Sequence, residues 1–197
     1  MHKTTSLLLA LLLCSSWFAK AEQDKDKAKN PSQATLLPLN QQIVDDHKQL
    51  YDSSCIPMTI EMVLKLTGHA PSNYFELQDA WKNKTDGNFS DFDGKTINGL
   101  TFHKQFGLPR DDKFPLDRLF ATIDKELDSG RFVIVSLVSG SGWHMFVIHG
   151  RDADGDFIAV SKYGTKAQGA KTIEAKHLKS NITKMKGTDI LTYEEAR

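Results

Sequence analysis

Three apolar segments in the last third of the chain limit its fold more than anything else in the sequence. "RFVIVSLV" (131–138) is a continuous apolar run, the pattern of a buried strand, and the flexible stretch "SGSG" follows it. "WHMFVIHG" (143–150) and "DFIAVSKY" (156–163) flank the turn residues "RDADG" and read as a β-hairpin. Side chains alternate across a strand, so His144, Phe146 and Ile148 share one side, and Met145, Val147 and His149 the other. A short helix near Glu174 to Asn181 and a last strand, "TDILTY" (188–193), complete this half.

The preceding half reads as helices. From Cys55, apolar residues Ile56, Ile60, Val63, Leu64 and Leu66 recur at helical spacing; Pro57 fits a first turn and Gly68 a stop. Ser72 is placed to cap a helix through about Asn83, with Tyr74, Leu77 and Trp81 inward. Thr96 to Phe106 reads as a further helix ended by Gly107, and Pro115 to Asp128 as a stronger one ended by Ser129-Gly130. Helices first and strands second predict an α+β fold, N-terminal helices packed on a C-terminal antiparallel sheet.

Residues 1–21 have the layout of a secretory signal peptide: Lys3, an apolar core, and the small-x-small triplet Ala19-Lys20-Ala21. A retained membrane anchor and a lipid-attachment site at Cys14 are the alternatives. The apolar run is short for a span, and Leu13 is bulky for a lipoprotein cleavage point. Residues 22–35 are polar and charged without apolar periodicity, a flexible linker, so the folded domain is expected over 36–197. The chain is thus expected to be exported, to the periplasm or outside the cell, with no membrane span after cleavage. Lys+Arg equals Asp+Glu at 25 each, and loss of Lys3 and Lys20 leaves the mature chain at −2. That balance offers no electrostatic footing for nucleic acid or an anionic membrane.

Removal of the signal takes Cys14 and leaves Cys55 as the only thiol, in a compartment that oxidises thiols to pairs. A lone cysteine there is a reactive thiol, an intermolecular bridge, or a buried small hydrophobe. Its place at a helix N-terminus predicts a lowered pKa, because free N–H groups and the helix dipole favour an anion. His144, opening a buried strand after a Gly-Ser loop, is the second candidate; His149 lies nearer the turn and ranks below it. The acidic tip Asp152, Asp154, Asp156 departs from a calcium loop, with Phe157 and Tyr163 where Gly and Glu belong, and reads as a solvated turn. Asp86, Asn88, Asp91 and Asp93 make no complete metal signature, and His47, His69 and His103 are scattered without zinc spacing. Three Asn-x-Ser/Thr sequons, at Asn83, Asn88 and Asn181, matter only in a eukaryotic secretory route.

"QLYDSSCIPMTIEMVLKLTG" (49–68), followed about 90 residues later by "HMFVIHGRDADGDFIAVSKYG", resembles the papain-like cysteine peptidases that process bacteriocin leader peptides, and their stand-alone relatives. The resemblance covers most of residues 36–193 and implies a bacterial, papain-like domain that cleaves a peptide or amide bond of a peptide or protein substrate, without cofactor or metal. It implies Cys55 as nucleophile, His144 as proton acceptor and donor, and Gln49 as an oxyanion donor beside the Cys55 backbone N–H. Two departures stand out. Ser54 and Ile56 flank the cysteine where the family carries Asp and Gly, and the family's third member, an Asp, falls here at Ser161 or Lys162. Ser161 is then the candidate that orients His144. A catalytically impaired relative that binds a peptide or protein partner is the alternative.

Overall fold

The computed structural model describes residues 35–139, 142–164 and 169–196. The expected signal peptide and the linker over 22–34 lie outside them. Thr35, expected at the linker's end, is instead in β1 (Thr35–Leu36), which pairs with the far end of β5 (Gly142–Arg151). Next come α1 (Gln41–Asp46), α2 (Cys55–Leu66), α3 (Glu76–Ala80), β2 (Thr96–Ile97), β3 (Leu100–Gln105) and α4 (Leu116–Asp128). β4 (Val133–Ser139), β5, β6 (Phe157–Tyr163), β7 (Lys171–Ala175), α5 (Leu178–Lys184) and β8 (Ile190–Glu195) complete the order.

The fold is α+β, built on one eight-stranded antiparallel sheet in the order β2-β3-β8-β4-β5-β6-β7, with β1 off that path on β5. Both faces of the sheet are buried, and strict alternation divides its residues between two cores. Ile134, Met145, Val147, Val160, Leu191 and Tyr193 join α2 through Met58, Ile60, Met62 and Val63. Val133, Val135, Phe146, Ile148, Ala159 and Ile190 join α4 and α5 through Leu119, Ile123, Leu127, Leu178 and Ile182. A strand covered on both sides has no solvent face to alternate toward, which is why β4 reads as an unbroken apolar run. Arg151, at the end of β5, ties the second layer down through ion pairs to Asp124 and Asp128 of α4.

Cys55–Leu66, Leu116–Asp128, the hairpin and the last strand form as expected, whereas three helices do not. Thr96 to Phe106 is the β2–β3 hairpin: Asn98 and Gly99 hold φ of 47° and 89°, the two positive values that a tight strand-to-strand turn requires. The dipeptide Asn-Gly outweighs the helical spacing around it. Ser72 caps nothing; the helix is shortened to Glu76–Ala80, although Tyr74, Leu77 and Trp81 do pack toward the first core. Glu174 falls in β7, where the β-branched pair Thr172 and Ile173 pairs with β6, and the helix begins only at Leu178, after His177 in a left-handed conformation. The N-terminal half therefore contributes strands, and helices and strands are interleaved. Among the described residues no helix is long and apolar enough to cross a membrane.

Ile123 is fully buried between α4 and the sheet. Ile123→Ala should lower unfolding free energy by about 2–5 kcal/mol in urea titration; a loss below about 1 kcal/mol would contradict this packing.

Candidate functional site

α2, the helix that begins at Cys55, packs against β5 on the face of Met145 and Val147; His144 alternates with them and shares the face of Phe146 and Ile148. Ser54 occupies the N-cap position but makes no side-chain cap; its hydroxyl accepts from Tyr51 N at 3.2 Å and faces Tyr51 O and Gln78 Oε1, each at 2.8 Å. Pro57 has no N–H and Met58 N is bonded to Ser54 O, which leaves the N–H groups of Cys55 and Ile56 at the helix start, beside the thiol. Those N–H groups lower the thiol pKa, yet burial outweighs them and the net shift is upward. The expected lowering by the helix start is therefore corrected: Cys55 is half-buried, and desolvation of a thiolate costs more than two amides and a dipole return.

His144 is held from one side. Its Nε2 lies 2.9 Å from Ser161 Oγ and 2.9 Å from the Lys162 carbonyl. A carbonyl oxygen only accepts, so Nε2 carries the hydrogen, and Nδ1 keeps the lone pair. Ser161 is fully buried and donates its own proton to Met145 O at 2.5 Å, which turns the hydroxyl's acceptor side to the imidazole. Phe146 stands edge-on to the ring at 5.4 Å, and Tyr163 at 6.3 Å. Burial pushes the His144 pKa below 6.5, partly offset by the Lys162 carbonyl, so the ring is neutral at pH 7. The Lys162 ammonium is directed elsewhere, donating to Val44 O, Asp45 O and Thr172 Oγ1.

The structure thus joins His144 with Ser161. Among the described residues no hydrogen bond links His144 to the Cys55 sulfur. Gln49 is a correction. Its Nε2 donates to Tyr51 O at 2.9 Å and Asp52 O at 3.1 Å, while Oε1 is buried without a partner. Reversing the amide would set its oxygen against two carbonyls, so both hydrogens are committed to bracing the loop. In this conformation Gln49 offers no N–H to an oxyanion; the turn's inward carbonyls need donors, and Gln49 supplies them. His149 is buried far along β5, its pKa also lowered by burial. At the acidic tip, Asp152 accepts from the backbone N–H of Asp154 and Asp156, which closes the turn.

A buried polar network beneath α2 was not anticipated from the sequence. Gln78 Nε2 donates to Glu61 Oε2 at 2.6 Å and to Lys48 O at 3.0 Å, and Gln78 N donates to Glu61 Oε1 at 3.0 Å. Lys65 Nζ donates to His47 Nδ1 at 2.9 Å, His47 Nε2 donates to Met58 O at 2.8 Å, and Phe75 stacks on the His47 ring. His47 is part of this network, not a scattered histidine. The available signal was Glu61 and Lys65, four positions apart inside an apolar helix whose whole circumference is buried. Burial pushes Glu61 up to about 7 and Lys65 down to about 8. Beside the loop, a cleft of about 390 Å³ opens between Asp46, Lys48, Leu50, Phe75, Glu76 and Asp79.

Compared with protein-family models, curated proteins and solved structures, the chain matches none. The functional reading therefore rests on the residues themselves.

His47 provides a test of the network. Burial and the Lys65 charge hold its pKa near 3, against an ordinary 6.5. A base with a depressed folded pKa contributes stability that is present above 6.5 and lost as pH falls toward 3, on the order of 4 kcal/mol. Thermal melts across that window should show His47→Gln losing much less stability than wild type; parallel curves would contradict the assignment.

Proposed function

We propose that this chain is a thiol-dependent peptidase or amidase in which Cys55 is the nucleophile and His144 the general base. The observation that carries the reading is the clamp on His144: Ser161 and the Lys162 carbonyl hold Nε2–H, and leave Nδ1 as the basic nitrogen. α2 packs on the Met145 and Val147 face of β5, whereas His144 shares the face of Phe146 and Ile148, so the reading requires the imidazole to meet the thiol past the start of the strand.

The resting pair is a neutral thiol and a neutral imidazole, because burial opposes charge on both. The reaction then follows the order used by serine hydrolases. His144 Nδ1 takes the thiol proton as the sulfur bonds to the substrate carbonyl carbon. The carbonyl electron pair moves to oxygen, where the backbone N–H groups of Cys55 and Ile56 are the available donors. As that pair returns, the C–N bond breaks, and the amine leaves with the proton from Nδ1. Water, deprotonated by the same nitrogen, then attacks the thioester carbon; the C–S bond breaks, the acid leaves, and the sulfur takes the proton back from Nδ1. Ser161 replaces the carboxylate that usually orients such a histidine; without a negative charge it fixes the ring's position but does not raise its basicity.

The second reading, an inactive domain that binds a peptide or protein partner, is favoured by the raised thiol pKa and by Gln49's committed N–H groups. An export route is part of the proposal through residues 1–21 and the solitary thiol they leave.

Incubation with a mixed peptide library, read by mass spectrometry, should show cleavage that Cys55→Ala abolishes and His144→Ala lowers by about 100-fold or more. Cleavage that survives Cys55→Ala would remove the nucleophile, and an inert wild type that still retains peptides would favour the binding reading. The rate should rise with pH through a limb below 6.5, where His144 loses its proton. Ser161→Asp should move that limb upward, because a carboxylate beside Nε2 stabilises the imidazolium; an unmoved limb would mean that Ser161 does not act on His144.

A further inference from the structure

The Glu61–Gln78 pair joins α2 and α3 to the loop that delivers Cys55. The Gln78 side chain is fully buried and uses its whole capacity: Nε2 donates to Glu61 Oε2 and Lys48 O, and Oε1 accepts from Leu50 N and Ser54 Oγ, each at 2.8 Å. The Glu61 carboxylate takes both the amide hydrogen and the backbone N–H of Gln78, so it fixes α3 and the amide's orientation together. Because Nε2 is held by the Glu61 carboxylate, the amide cannot reverse without setting its N–H donors against Leu50 N and its oxygen against that carboxylate. Ser54 immediately precedes the thiol residue.

We propose that Gln78 and Glu61 are positioning residues for Cys55: the amide, aimed by the carboxylate, ties Lys48, Leu50 and Ser54 to α2 and so sets where the thiol stands at the mouth of that helix. The network explains two features that are otherwise unconnected. A carboxylate is kept inside an apolar helix, and the Ser54 hydroxyl is turned away from the cap, which leaves the N–H groups of the helix start uncapped beside the thiol. The inference deepens the reading of Cys55 as nucleophile and rests on it for its purpose, but its geometry is tested without turnover.

The readout is the rate of Cys55 alkylation by iodoacetamide in the full-length chain at pH 8, followed on the Cys55 peptide by mass spectrometry, with urea midpoints on the same samples. Gln78→Glu keeps an acceptor for Leu50 and Ser54 but sets a second carboxylate against Glu61. The loop should loosen and the half-buried thiol react at least about tenfold faster, since the Nε2 bonds to Glu61 and to Lys48 O are both lost. The exchange variant, Glu61→Gln with Gln78→Glu, restores one amide facing one carboxylate but leaves Lys48 O without its donor, so its rate should fall between those of Gln78→Glu and wild type. Glu61→Gln alone is isosteric and uncharged; it should move the rate in the same direction, and it stands in if Gln78→Glu does not fold. A purely structural role would lower the urea midpoint and leave native-state alkylation unchanged. Alkylation within about twofold of wild type in a folded Gln78→Glu or Glu61→Gln variant would therefore overturn the proposal. Failure of the peptidase reading is separate, since it is decided by peptide cleavage with and without Cys55.

Discussion

Successive residues of β5 belong to different cores, and this two-sided burial sets the positions of the other elements. Met145 and Val147 are fixed against α2, Phe146 and Ile148 against α4 and α5, so a one-residue slip would exchange the two sets and leave neither core filled. The same register decides where His144 stands. Paired with Leu137 on β4, it comes where the strand leaves the cores, with Phe146 packed against its ring and Ser161 within hydrogen-bonding distance. The histidine's orientation is thus a consequence of core packing, as a base on a rigid strand requires.

Burial also decides the electrostatics. Two opposing influences meet at Cys55: nearby backbone N–H groups favour the thiolate, and removal from water disfavours it and wins. His144 is neutral for the same reason, so neither partner is charged before a substrate arrives. The polar groups beneath α2 follow a different rule. Glu61, Lys65, His47 and Gln78 are taken out of water, but each finds a hydrogen-bond partner, which makes their burial tolerable and their geometry specific. Substituting one member leaves the others unpaired, so errors there are felt at the loop before Cys55.

Much of this was legible in the residues. The helix from Cys55, the strand from Val133 and the hairpin around Asp152 follow from periodicity and turn chemistry alone. Ser161 was named beside His144 only through the family resemblance; the β5–β6 register, Val147 with Val160, sets it diagonal to the histidine, where its Oγ lies 2.9 Å from Nε2. Thr96 to Phe106 was misread because Gly107 was taken as a helix stop, while the decisive information lay in Asn98-Gly99, a short-range turn signal. β7 was misread because Glu174 lies in a charged segment whose strand character comes from pairing with β6. The commitment of Gln49 to Tyr51 and Asp52, and of Gln78 to three loop residues, could not be read from spacing. These depend on how an irregular loop folds back, which no periodicity encodes.

The central claim is that His144 is held with its hydrogen on Nε2 and its lone pair on Nδ1. Nitrogen-15 chemical shifts of the His144 ring, followed through a pH titration, test it most directly. The account predicts an Nε2–H tautomer at neutral pH and a midpoint below 6.5, with the tautomer preference weakened in Ser161→Ala. A ring protonated on Nδ1 in its neutral form, or a midpoint above 6.5, would contradict it.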